Sequence, residues 1–232
     1  NPASVAQHVS MDGHSTAVFI TINGTEEEVR GQVGILRDIV SSDELQIMVT
    51  GSLIINEDFD KLLKEDTLRA EIFGIPLSLI ILLFVFGTLV AASLPMLTAG
   101  LMFVSSIGFT FWFSHMGIID LTQWTISMVS LIGIAVTIDY SLFIVSRFKE
   151  ELAKGSNERE AVAKMMDTAG RAVLYSGATV AIGLCSLFYF NATHMPSMGF
   201  GGAVAVAFAL FYSLTVLPVV LCILGNRVNN LK

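Results

Sequence analysis

The 232-residue chain is 53% hydrophobic and 14% charged, with a mean hydropathy of +0.71. That is more apolar surface than a soluble core of this size hides, so a membrane must serve as its solvent. The net charge of -7 gives no basic footprint for nucleic acid, and the acidic excess is local: 13 Asp and Glu stand against 5 Lys and Arg through Glu71. Cys185 and Cys222 lie in apolar runs without the spacing of a metal site or a disulfide framework, and nothing calls for a cofactor.

No targeting pattern follows Asn1, so the chain reads as a fragment of a longer one. Its opening is polar. Residues Thr16 to Asn23 predict a strand ending at Gly24. Thr25 and Glu28 form a capping box for a helix whose buried stripe is Val29, Val33, Leu36 and Val40. Leu45 to Val49 supplies a second strand, completing a small β-α-β layer. A helical stretch from Asp58 to Ala70 then enters the bilayer with no Gly or Pro linker.

No Asp, Glu, Lys or Arg occurs from Ile72 through Ile119, and a single span needs only ~20 residues, so this stretch crosses twice. Ser93, Leu94 and Pro95 are the expected turn. The five predicted spans are Ile72 to Ala92, Met96 to Met116, Leu121 to Ser146, Ala172 to Phe190 and Met198 to Leu224. Arg147, Lys149, Lys154, Arg159, Lys164 and Arg171 all fall between spans three and four, and Arg227 and Lys232 follow span five. These sides are therefore expected to be cytoplasmic and the N-terminal segment extracytoplasmic.

The expected architecture is a polytopic α-helical membrane protein preceded by a small α/β extracytoplasmic segment. Residues 1–70 form that segment, 71–226 form the helix bundle with a cytoplasmic surface connector at 147–171, and 227–232 form a cytoplasmic tail.

Asp139 is the only charged residue inside a predicted span, ~12 Å from the cytoplasmic end at Arg147. A carboxyl so near mid-membrane costs ~2.5–3.5 kcal/mol on insertion scales, so it should face protein or water and marks function by default. Tyr140 points about 100° away and needs a partner on another helix. Ser176 and Thr179 in span four are candidate relay support, against the alternative that each bonds its own helix. Gly177, Gly183, Gly199, Gly201 and Gly202 allow close helix approach, and His115 and His194 read as interfacial.

The stretch GIAVTIDYSLFIVSRFKEEL, from Gly133 to Leu152, resembles the Asp-Tyr signature of MMPL-type transporters of the RND superfamily. The segments LPMLTAG from Leu94, TAGRAVLYSGATVAIGL from Thr168 and TVLPVVLCILG from Thr215 resemble the same family. The resemblance implies helices two to six of a twelve-helix exporter of lipids, drugs or other amphiphiles, driven by protons. Asp139 and Tyr140 would be its first half's share of the proton relay. It also implies a multi-pass protein of a bacterial plasma membrane whose partners are protons, membrane lipids, the amphiphile, and a second half or another copy. A SecDF-like protein-export motor and a sterol-sensing or lipid-binding module are the alternatives. An enzyme is not expected: an intramembrane aspartyl protease needs two facing carboxylates, and one is present.

Overall fold

A computed structural model of the chain describes residues 14–20, 33–40, 42, 46–119, 121–190 and 194–229. It falls into two units, Asn1–Phe59 and Asp60–Lys232. In the first unit, the described part of the helix expected from Thr25 is α1, Val33–Val40. Its capping box lies outside the described residues, as do 21–23 and 45 of the two expected strands. The described remainder of those strands forms no ladder beyond a single bridge at Thr16.

Helix α2, Ser52–Phe86, runs unbroken from the polar region into the first apolar stretch. It is followed by α3, Leu89–His115, and then by α4, Gln123–Ala153, α5, Glu158–Tyr189, and α6, Met195–Val228. All five are long and apolar enough to cross a membrane, so the protein is a polytopic α-helical membrane protein.

The first turn between spans is not at Ser93, Leu94 and Pro95, which lie inside α3. The break is at Gly87, whose φ of +66° suits glycine and whose N–H bonds Leu83 O at 2.8 Å, ending α2. Pro95 lies inside α3, and hydroxyls on either side of it bond backbone carbonyls of the same helix. Ser93 Oγ donates to Val90 O, and Thr98 Oγ1 donates to Leu94 O and Pro95 O.

The packed centre is made by α3, α4 and α6, where Met102, Val129, Ile144, Val145, Phe148, Ala205 and Leu221 are fully buried. Helix α5 packs mainly on α6, and small residues set that spacing: a Cβ on Gly202 would meet the Leu184 side chain at 3.2 Å. Gly183, expected to serve the same purpose, faces open space. Helix α2 joins the core chiefly through Leu82 and Phe86 near its end.

The connector is not a plain surface helix. Gly155 breaks it at φ +89°, Asn157 Oδ1 accepts from Glu160 N–H to start α5, and Ala161, Met165 and Ala169 are buried in the core. Each of α4, α5 and α6 contains one π-helical turn, at Val129–Gly133, Met166–Gly170 and Tyr212–Val216.

Candidate functional site around Asp139

Asp139 lies six residues beyond the π turn of α4. The sequence alternates around that helix so that Leu131, Ala135, Asp139 and Phe143, four residues apart, form one exposed stripe. Ser130, Thr137 and Ser141 occupy the buried side. Tyr140 turns inward with them: it is 8% exposed and packs in the core, and its Oη has no hydrogen-bond partner among the described residues.

Among the described residues the Asp139 carboxyl is therefore exposed, on a face that must meet protein or water. No described side chain pairs with it, and the residues of α4 that are buried lie on other faces of the helix. Ser176 and Thr179 are also exposed, on α5, and Thr179 Oγ1 donates to Tyr175 O of its own helix at 2.9 Å. Neither is joined to Asp139 by a described hydrogen bond. His194 stacks on Trp124, with ring centroids 6.1 Å apart.

Behind the aspartate, sequence reasoning missed a hydroxyl cluster that ties the three central helices together. Ser141 Oγ lies 2.8 Å from Thr98 Oγ1 and 3.4 Å from Ser213 Oγ, all three buried. Ser105 Oγ and Tyr212 Oη, 2.6 Å apart, add a second link between α3 and α6. The signal was the spacing of Ser130, Thr137 and Ser141 along one face of an apolar helix.

Past the apolar part of α4, Glu151 is buried and bridges Arg147 at 2.9 Å and Lys154 at 2.8 Å. The hydrogen bond from Lys154 leads in holding its carboxyl below the ordinary range, and the charge of Arg147 adds to it.

Chemically, then, the site offers one carboxyl on an outward stripe of a membrane-capable helix, backed by a fixed hydroxyl network. The model of the MMPL family matches residues 1–232. The chain belongs to the MMPL family. This MMPL chain is 31% identical to a Streptomyces coelicolor membrane protein over 98% of its own length and 33% of the relative's. It is 32% identical to the trehalose monomycolate exporter MmpL3 of Mycobacterium tuberculosis, over 95% of the chain and 23% of that protein. It is 39% identical to the mycolic acid-containing lipids exporter MmpL11 of Mycolicibacterium smegmatis, over 70% of the chain and 17% of that protein. The chain thus spans a third or less of the length of these relatives.

Proposed function

We propose that the chain is part of an exporter of lipids or other amphiphiles, driven by the proton gradient across a bacterial plasma membrane, with Asp139 as the coupling residue. The observation that carries this reading is the position of Asp139: a carboxyl in the apolar part of α4, exposed on a face that the described residues leave uncovered. A carboxyl there cannot face hydrocarbon cheaply, so its face is one that meets the rest of the transporter, another copy, or water. Tyr140 is the relay partner it presents to the bundle side, and Ser176 and Thr179 serve as support from α5.

The exporter names of two relatives support an amphiphilic cargo. In this reading residues 1–70 belong to a porter-like extracytoplasmic domain, 71–226 to the bundle, and the basic connector at 147–171 and the tail at 227–232 face the cytoplasm. Export of a fluorescent acyl-trehalose from cells carrying the full-length parent tests it. The reading expects export that stops when a protonophore collapses the gradient. Export that persists without the gradient sinks it, and a peptide-translocation defect with lipid export intact revives the SecDF-like alternative.

A further inference from the structure

Span one is bound to the helix of Asp139 by polar contacts at both ends of the apolar region. At the end remote from the connector, Ser130 Oγ donates to Glu71 Oε1. One turn earlier, the hydroxyls of Thr67 and Ser127 lie 2.9 Å apart, both buried. The pairing rises in step, 67 with 127 and 71 with 130, which fixes α2 and α4 as parallel neighbours in a single register. At the connector end, Lys149 Nζ donates to Phe86 O at 2.7 Å, on the last residue of α2, and sits 5.6 Å from the Phe86 ring centroid. A cation on this terminal carbonyl also complements the helix dipole.

Ser130 and Lys149 are ~28 Å apart along α4, close to the thickness of the bilayer's hydrocarbon, so the clamps lie near its two faces and Asp139 lies between them. The middle of α2 contributes little to the register, since Ile72, Phe73, Leu77, Ile80 and Ile81 are exposed. Ser130 also belongs to the π turn, which holds one extra residue. Winding it into regular helix would re-aim everything beyond by about the 100° that one residue subtends. Glu71 therefore grips α4 at its one adjustable turn before the aspartate.

We propose that Glu71 and Lys149 are positioning residues that clamp span one to the helix of Asp139, so that the two move as one body and α2, continuous to Ser52, carries that movement. This deepens the reading of Asp139 as the coupling residue and rests on it for its consequence in transport, though not for its test.

The test places spin labels through Phe73→Cys and Phe143→Cys in the full-length parent, with other reactive cysteines removed, and measures the distance distribution by pulsed dipolar spectroscopy. One population is expected, unchanged when Asp139→Asn is added. Glu71→Leu, Ser130→Ala and Lys149→Met should each add a second population. Glu71→Gln should restore the single one, because its carboxamide oxygen still accepts from Ser130. A general loss of packing would not be rescued in that way. The proposal is overturned if the clamp variants keep the parent distribution, or if Asp139→Asn alone shifts it. Asp139→Asn without effect on export would defeat the coupling reading while leaving this distance result standing.

Discussion

Asp139 and Tyr140 are adjacent in sequence yet lie on different sides of one helix, the carboxyl on an exposed stripe and the phenol 8% exposed in the core. Because Tyr140 Oη is buried without a described partner, removing it exposes no orphaned group. Tyr140→Phe should leave thermal stability of the full-length parent within about 0.5 kcal/mol. Export should fall, but by less than for any loss of the carboxyl. A Tyr140→Phe protein with abolished export would move the proton-carrying role to the phenol.

The cluster of Thr98, Ser141 and Ser213 predicts a modest structural cost. Ser141→Ala removes two hydroxyl contacts, but Thr98 keeps its bonds to Leu94 O and Pro95 O and is not stranded. Unfolding in detergent should show a loss of about 1 kcal/mol. A loss of several kcal/mol would mean that the network is cooperative beyond these pairs.

Two glycines separate packing from mere flexibility. A Cβ on Gly201 would come within 2.6 Å of Thr125 Cγ2, whereas one on Gly183 meets nothing within 4 Å. Gly201→Val should destabilise by about 1–3 kcal/mol through overpacking. Gly183→Ala should be neutral or slightly stabilising, since alanine is the better helix former by about 1 kcal/mol. Equal thermal shifts for the two would contradict the assignment of α6 as the tightly packed partner.

The spans were legible because hydropathy alone requires five long helices, and Asp139 was legible because a single carboxyl interrupts them. The turn between the first two spans was not. Pro95 attracts a turn assignment but lies inside α3, while the real break rests on Gly87, which no charge or polar run announces. The clamps and the hydroxyl cluster were illegible for another reason. Ser130, Ser141 and Thr98 have helix-local alternatives, and only three-dimensional register shows that they reach across to Glu71 and to one another. The side on which Asp139 faces depends on where the other helices pack, which its own helix does not encode.

Glu151 predicts a specific pH response. Its carboxyl is held below the ordinary value of 4.5, first by the Lys154 hydrogen bond, so the native state favours the ionised form. The stability it contributes is fully present above that value and is lost as pH falls through the depressed native value. The gap between the melting temperatures of the full-length parent and Glu151→Gln should therefore be full above 4.5 and shrink as pH falls below it through the depressed native value. A gap that stays constant across this range would assign Glu151 a packing role alone.

The central claim is that Asp139 couples the proton gradient to export, and the most direct measurement is gradient-driven export by the full-length parent carrying Asp139→Asn. Asparagine keeps the shape and hydrogen-bonding capacity but cannot cycle between neutral and ionised forms. Export should be abolished while expression, insertion and melting temperature stay near the parent's, and Asp139→Glu should retain part of the activity. Export at the parent rate, with the same sensitivity to a protonophore, would contradict the account.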